Sequence, residues 1–404
     1  MSILSGKKIL LGVTAGIAAY KTASLVRLFI KSGAEVKVVM TPAAKDFVTP
    51  LTLSTLSKNP VVSSFFDEED ENALWNNHVE LGLWADVMLI APATANTLSK
   101  MASGNSDNLL LATYLSAKCP VYFAPAMDLD MYNHPSTHET FEKLQEFGNI
   151  MIPAESGELA SGLVGQGRMA EPENIIDFLE KDILEKLPLK GQTVLITAGP
   201  TYEAIDPVRF IGNHSSGKMG IELALTAANL GAQVYLVLGP SSLTVSHGLI
   251  DVIPVVSAED MYQAVIERYE NCDIAIASAA VADYRPKHVS DQKIKKADTE
   301  FSIELERTKD ILKWMGAEKK NQFLVGFALE TENEKENAIG KLKKKNLDLI
   351  VLNSLNDKGA GFKGQTNKVT LINHKLEIKA FELKTKSEVA KDIFDTINQL
   401  KKDE

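Results

Sequence analysis

The feature that most constrains this chain is an alternation repeated from end to end: short apolar, β-branched runs, each followed by a stretch of helical period. In the first half the runs are Lys8–Val13, Glu35–Met40, Val87–Ala91, Val121–Ala124 and Ile150–Pro153. Helical patterns at Ile17–Lys31, Ala95–Ala102, Asn108–Ala117, His134–Phe147 and Pro172–Leu187 separate them. Strands apolar on both faces must be covered on both faces, which calls for a parallel sheet between two helical layers. Right-handed crossovers then make the sheet doubly wound.

The alternation restarts at Thr193–Thr197 and continues through Val234–Leu238, Val252–Val255, Ile274–Ser278, Phe323–Phe327 and Leu349–Leu352. Helices are expected at Lys218–Leu230, Ala258–Asn271, Ile311–Glu318, Glu334–Lys345 and Ser387–Lys401, with a Ser257/Asp260 capping box opening the second. Lys368–Asn373 and Leu376–Phe381 flank Asn373-His374 as an antiparallel hairpin. Both halves open alike, with Gly6–Gly16 ending in Val-Thr-Ala-Gly and Gly191–Gly199 ending in Ile-Thr-Ala-Gly. At ~150 residues per domain, 404 residues also call for more than one. The expected fold is therefore α/β: two doubly wound, mainly parallel-sheet, Rossmann-like domains in tandem, residues 1–187 and 188–404. The hinge falls near Lys186–Gly191, where Pro188 and Gly191 interrupt a helix.

Charge narrows the function classes. Lys plus Arg total 43 against 53 Asp plus Glu, a net −10, with no long basic run, so nucleic acid and anionic membranes are poor partners. No apolar run reaches the ~18 residues of a membrane span, and Met1–Lys8 lacks a signal-peptide apolar segment. Two cysteines, Cys119 and Cys272, cannot build a disulfide framework. A soluble, cytoplasmic protein is expected.

In open α/β sheets, ligands gather at the carboxyl ends of the strands. The first such end, Gly12–Lys21, offers Gly12, Gly16, the Thr14 hydroxyl and free N–H groups of the following helix. Its spacing is not G-x-G-x-x-G, so the dinucleotide fingerprint is absent. The next ends carry Thr41-Pro42, then Ala91–Thr97 with Gly104–Asn108, then Ala124–Tyr132. Alone, Met127 and Met131 read as core filler and His78 as a surface histidine. Together, four strand ends rich in small residues, hydroxyls and amides suit a flat, polar-edged ring with a phosphate tail.

These segments, with Gly157–Met169, resemble the flavin-dependent cysteine decarboxylases over roughly the first 180 residues. The resemblance implies bound FMN, held by Gly12, Thr14, Gly16, Ile17, Thr41, Ala93, Thr94, Asn96, Thr97 and Met127. It implies trimeric packing in which His78 serves the flavin site of a neighbouring subunit as acid/base. The implied chemistry oxidises the cysteine side chain to create an electron sink, releases CO2, then returns the electrons. Two positions depart from the family's pattern. Asp128 stands where asparagine is usual, and a carboxylate there repels a substrate carboxylate unless it is protonated or shielded. Ser161 stands where a proton-donating cysteine is usual, and a serine hydroxyl is a far weaker acid. Both are nonetheless carried over as catalytic positions, Ser161 as a relay for a proton from water.

In the second half, Gly199 closes the first strand, and Asn213, Ser215, Ser216, Gly217 and Lys218 cluster donors at a helix start, an anion-binding arrangement. The P-loop pattern itself is missing. Asp283, Lys293–Lys296, Gly326–Thr331 and the i,i+4 pair Lys341/Lys345 are expected at the same edge. Lysine repulsion at that spacing is unfavourable without an anion, which points to a triphosphate.

This half resembles the phosphopantothenate–cysteine ligases, and the two resemblances in this order are those of bifunctional enzymes of coenzyme A biosynthesis. The ligase resemblance places CTP on Gly199, Ser216, Ala277, Ser278, Ala279, Asp283, Lys293, Asp310, Ile311, Phe327, Lys341 and Lys345. It makes Asn213 and Lys293 catalytic, activating 4'-phosphopantothenate as an acyl-cytidylate that the cysteine amine then attacks. Mg2+ is expected to arrive with the nucleotide, since no dedicated ligand cluster is evident. The partners implied are small-molecule substrates and other copies of the chain, a trimer-based dodecamer. Two alternatives compete for the first half: an oxidative peptidyl-cysteine decarboxylase, or a non-catalytic regulatory flavoprotein.

Overall fold

A computed structural model describes residues 2–66, 75–295, 302–330, 332–354 and 364–403. The chain divides into two compact units, Met1–Ile183 and Leu184–Glu404.

The first unit runs β1 (Lys8–Val13), a 3-10 turn (Ile17–Lys21), α1 (Thr22–Lys31), β2 (Glu35–Met40), α2 (Pro50–Ser57), β3 (Val61–Val62) and α3 (His78–Trp84). It continues through β4 (Val87–Ala93), α4 (Ala95–Ser103), α5 (Leu109–Ser116), β5 (Val121–Pro125), α6 (Leu129–Asn133), α7 (Pro135–Glu146) and β6 (Ile150–Met151). A hairpin of β7 (Glu155–Glu158) and β8 (Val164–Arg168) precedes α8 (Pro172–Glu185). The sheet order is β3-β2-β1-β4-β5-β6, every pairing parallel. This is the doubly wound order, and its direction reverses between β1 and β4.

Two of the expected elements take a different form, and α2, β3, α3, α6 and the β7/β8 hairpin were not expected. Residues 17–21 form a 3-10 turn rather than the start of an α-helix, because Gly16 offers no side-chain cap and the first turn tightens onto its carbonyl, Ala19 N–H to Gly16 O at 2.9 Å. The strand expected over Ile150–Pro153 stops at Met151; Pro153, lacking an N–H, cannot extend the ladder.

The second unit repeats the plan. It contains β9 (Thr193–Ala198), β10 (Tyr202–Ala204), β11 (Phe210–Gly212), α9 (Lys218–Asn229), β12 (Gln233–Leu238), β13 (Ile250–Pro254), α10 (Ala258–Tyr269) and β14 (Ile274–Ala277). Then follow β15 (Tyr284–Pro286), β16 (Leu305–Arg307), α11 (Ile311–Glu318), β17 (Phe323–Glu330), α12 (Glu334–Lys344) and β18 (Leu349–Ser354). The chain ends with β19 (Thr366–Asn367), β20 (Val369–Asn373), β21 (Ile378–Ala380), β22 (Lys384–Thr385) and α13 (Lys386–Lys402). The order β13-β12-β9-β14-β17-β18-β20-β21 is parallel as far as β18, after which the β20/β21 hairpin closes one edge antiparallel. The Ser257/Asp260 capping box is present.

Each sheet buries both faces. Along β9, Val194, Ile196 and Ala198 pack with α9 and α13 residues such as Leu223 and Phe394, while Leu195 faces Met261 and Val265 of α10. This two-sided burial explains why the strands are almost continuously apolar.

Candidate functional site

In the first unit the strand ends open into a cavity of about 1050 Å³, at the upper end of the ~300–1,000 Å³ range of small-molecule sites. Its walls come from four successive connections: Ala15–Lys21 after β1, Thr41–Ala43 after β2, Thr94–Thr97 after β4 and Ala126–Asp128 after β5, with Met131 on α6. Glu158–Ser161 and Gly167–Met169 of the β7/β8 hairpin cover it.

Of the residues expected to hold a flavin, Gly16, Ile17, Thr41, Thr94, Asn96, Thr97 and Met127 line this cavity. Gly12, Thr14 and Ala93 lie behind the wall. A side chain at Gly12 would meet Ile90 and Leu110, each at 2.6 Å. Thr14, fully buried, donates its hydroxyl to Pro92 O at 2.7 Å and accepts the Thr94 N–H at 3.2 Å, tying the β1 loop to the β4 loop. Met131, half exposed on the cavity wall, is not core filler.

The donor set fits a flavin phosphate. Thr41 Oγ1 is buried and has no partner among the described residues. A hydroxyl left so costs about 1–3 kcal/mol, which an anionic oxygen in the cavity recovers. Gly16, Ile17 and Ala18, at the start of the 3-10 turn, line the same cavity.

The cover is anchored at two points. Met127 N–H donates to Gly167 O at 3.0 Å. Gly167 has φ +141°, and a Cβ there would sit 2.5 Å from Met127 O. Ser161 Oγ donates to Asp128 Oδ1 at 2.8 Å, so the two residues that depart from the decarboxylase pattern are bonded to each other. Asp128 also caps α6 through Leu129 N–H.

Sequence reasoning missed the ion network beneath the cover. Lys21 is only 6% exposed, and its ammonium donates to Met169 O at 2.9 Å and Glu171 Oε1 at 3.0 Å. Arg168 contacts the same Glu171. Lys21 is the main reason the Glu171 carboxyl sits below the usual carboxylate range. Lys21 and Glu171 are 150 positions apart, and no local pattern joins them.

His78 starts α3 outside the lining. Its ring packs between Phe65 and Trp75, centroids at 6.0 and 5.8 Å, and its Nδ1 is buried without a partner among the described residues. The structure does not bring it to this chain's own cavity.

In the second unit Gly199 and Ala277–Ala279 lie at the carboxyl ends of β9 and β14, again where the winding reverses, and Phe327 lies on neighbouring β17. The Gly199 turn faces the N-terminus of α9, and Gly220 lets α9 lie close on β9, since a Cβ there would fall 2.3 Å from that of Ala198. Ser278 donates to Thr197 O at 2.7 Å, and Ala279 N–H reaches Thr197 Oγ1 at 3.4 Å, fixing the turn after β14. Ser216 O accepts the Ser241 hydroxyl. Asn213 spends its amide on Ala280 O and Val281 O, at 2.9 and 3.2 Å.

On the other side, Lys341 donates to Phe327 O at 2.6 Å, and Lys345 grips both carboxylate oxygens of Asp310 at 2.8 Å. Burial, then the neighbouring Lys345 charge, push the Lys341 ammonium below its ordinary range. Burial alone would raise the Asp310 carboxyl, but the Lys345 hydrogen bond and charge bring it down. Ile311 follows as the first residue of α11. Asp283 and Lys293 lie exposed in the segment after β14. Neighbouring Ile294 is tethered to buried Asp206, whose carboxylate also takes the Val208 and Arg209 N–H groups. Arg209 holds that carboxyl far below its usual range. Lys296 and Thr331 lie outside the described residues. Among the described residues no group of three or more His, Cys, Asp or Glu could hold a metal, and no helix is long and apolar enough to cross a membrane.

Comparison with known proteins agrees with this division. Residues 2–184 match the Flavoprotein family model, and residues 189–400 match the DNA/pantothenate metabolism flavoprotein C-terminal domain. A protein of an unknown prokaryotic organism, named cysteine/cysteine sulfinic acid decarboxylase, is 58% identical over 86% of this chain and 97% of its own. The coenzyme A biosynthesis bifunctional protein CoaBC of Bacillus subtilis is 46% identical over 99% of this chain and 98% of its own. That of Escherichia coli is 42% identical over 91% of each chain. The chain belongs to the family of bifunctional coenzyme A biosynthesis proteins, a flavoprotein unit followed by a DNA/pantothenate metabolism flavoprotein C-terminal domain.

Proposed function

We infer that the chain makes and then decarboxylates one intermediate of coenzyme A biosynthesis. Residues 188–404 ligate cysteine to 4'-phosphopantothenate with CTP, and residues 1–187 decarboxylate the resulting 4'-phosphopantothenoylcysteine to 4'-phosphopantetheine. One observation carries this reading: two sheets, each with its own reversal of winding, stand in tandem in a chain that aligns over 99% of its length with a bifunctional coenzyme A biosynthesis protein.

In the first unit, Thr41, Thr94, Asn96, Thr97 and the N–H groups at Gly16 and Ile17 would hold FMN, with Met127 beside its ring. Bound there, the flavin supplies reversible two-electron acceptance from the cysteine side chain, which gives the carbanion at Cα an adjacent sink. The hairpin cover excludes water, and Asp128 and Ser161 face the reacting group. His78, which does not line its own cavity, serves the site of a neighbouring copy in a trimer, and trimers joined through the ligase units give a dodecamer.

In the ligase unit, Lys293, Lys341 and Lys345 offset phosphate charge that builds as the acyl-cytidylate forms, and Mg2+ enters with the nucleotide. Gly199, Ser216 and Ala277–Ala279 present backbone and hydroxyl donors. Asp283, Asp310, Ile311 and Phe327 shape the nucleoside end. The amine of cysteine then attacks the mixed anhydride, and Asn213, whose amide holds Ala280 O and Val281 O before substrate binds, exchanges one of those bonds for the oxyanion. These reactions place the protein in the cytoplasm, where its substrates are.

The test is one preparation and two assays. The purified chain is expected to be yellow, to release pyrophosphate from CTP only with 4'-phosphopantothenate, as a single burst that becomes steady turnover when cysteine is added, and to release labelled CO2 from carboxyl-labelled cysteine in the complete mixture. A colourless protein without pyrophosphate release refutes the reading. The relative named cysteine/cysteine sulfinic acid decarboxylase favours a second reading for the first unit, in which an amino acid itself is decarboxylated.

A further inference from the structure

The cavity of the first unit has an uneven charge inventory. Six charged side chains line it: Lys21, Lys100, Asp107, Asp128, Glu158 and Arg168. Every cation among them already holds a carboxylate. Lys100 pairs with Asp107 at 2.5 Å, while Lys21 and Arg168 share Glu171. Asp128 and Glu158 have no cationic partner among the described residues. Asp128 is also the better held of the two. Its Oδ1 takes the Leu129 N–H and the Ser161 hydroxyl, both at 2.8 Å, and its Oδ2 takes no hydrogen bond from a described residue. A carboxylate fixed by two neutral donors, with one oxygen spare on a cavity wall, is a receptor for a cation. A bound flavin phosphate makes the cavity more negative still.

An N-acylated cysteine brings no cation to that oxygen; its amide is neutral and its carboxylate is repelled. A free amino acid carries an ammonium one bond from the carboxyl-bearing carbon, so it both satisfies Oδ2 and shields its own carboxylate. We propose that Asp128, positioned by Ser161, recognises an α-ammonium group, so that the first unit also decarboxylates an unacylated thiol amino acid, cysteine being the simplest. The inference rests on the second reading above. In that turnover the Cα–carboxylate bond breaks and CO2 leaves. The electron pair remaining on Cα takes one proton from solvent, so carboxylate plus proton become C–H plus CO2, with no net oxidant consumed.

The test uses the full flavin-loaded chain. Cysteamine and N-acetylcysteamine are titrated while the flavin absorbance is followed, a signal the ligase unit does not affect. CO2 release is measured from cysteine alone and from 4'-phosphopantothenoylcysteine. The wild type is expected to bind cysteamine about 10- to 100-fold more tightly than its acetylated form, the worth of one charged hydrogen bond. Asp128→Asn keeps a side-chain cap for α6 but should erase that preference, and should lower the ratio of kcat/KM for cysteine over the acylated substrate by a similar factor. Ser161→Ala frees Asp128 to move and should reduce the preference by about 2- to 10-fold. Release of CO2 from the acylated substrate but none from cysteine overturns the proposal and leaves the coenzyme A reading standing. An equal weakening of both thiols in Asp128→Asn overturns it as well, since the residue then acts only on structure. Release from cysteine but not from the acylated substrate supports the proposal and removes the decarboxylase half of the coenzyme A reading.

Discussion

Replacing Lys21 with methionine separates the stability of the first unit from its chemistry. The side chain is 6% exposed and bonds the Met169 carbonyl at 2.9 Å and Glu171 at 3.0 Å, so it staples the strand-end loop after β1 to the segment after the hairpin cover. Each hydrogen bond from a charged donor contributes about 1.5–3 kcal/mol. Methionine keeps most of the aliphatic packing, and Glu171, 35% exposed, retains Arg168 and some water. The net loss expected is therefore about 2–4 kcal/mol rather than the full sum. Two units make a single unfolding midpoint ambiguous, so the assay is amide hydrogen exchange followed peptide by peptide. Peptides from β1 and α1 should exchange about 30- to 1000-fold faster, at 1.36 kcal/mol per factor of ten, while peptides from β9 and α9 should not change. The pH dependence gives a second check. Glu171 has a lowered pKa in the folded chain, chiefly through Lys21, so its contribution is present above the carboxylate's unfolded value and is lost as pH falls through the folded one. The gap between wild type and variant should narrow on acidification through that window. Equal acceleration in both units, or a gap that widens in acid, refutes the reasoning.

Three further outcomes follow from the same geometry. Gly167→Ala forces a side chain to φ +141° and to within 2.5 Å of Met127 O, a strain of about 1–3 kcal/mol; the hairpin 155–168 should exchange faster and flavin should dissociate faster, with β1 unaffected. Lys341 has a lowered pKa, so nucleotide affinity should fall with rising pH earlier than an ordinary lysine would dictate, and Lys341→Met should flatten that profile in a titration from pH 7 to 10. Asn213→Ala should still form the acyl-cytidylate but convert it about 100- to 1000-fold more slowly, as for loss of one oxyanion donor. If rapid-quench analysis shows an unchanged second step and weaker nucleotide binding instead, the amide serves only to hold the Ala280–Val281 turn.

The strands were legible because burial on both faces leaves an apolar run that needs no context, and β1, β2, β9 and β12 fall within a residue of where that run places them. Ser257 with Asp260 was legible for the same reason: a capping box is complete within four residues. Less visible were α2, opened by Thr49 and Pro50, and α3, opened by Asn77, because their apolar faces are too weakly periodic to stand out from loop. The β7/β8 hairpin has a glycine-rich sequence that suits many turns equally, and contacts with Leu129, the Met127 backbone and Asp128 select one.

The sequence by itself therefore determined what depends on near neighbours along the chain: strands, helices, their order, and so the two wound sheets whose edges collect ligands. Tertiary structure alone decided which donors are already spent. It showed Thr14 and Gly12 turned into the wall, the Thr41 hydroxyl without a partner among the described residues, Lys21 and Arg168 sharing Glu171, Asn213 committed to backbone, and Asp128 joined to Ser161 across 33 positions. Hydrogen bonding and charge pairing are satisfied in space, between groups that the chain separates by any distance, so no local pattern can record them.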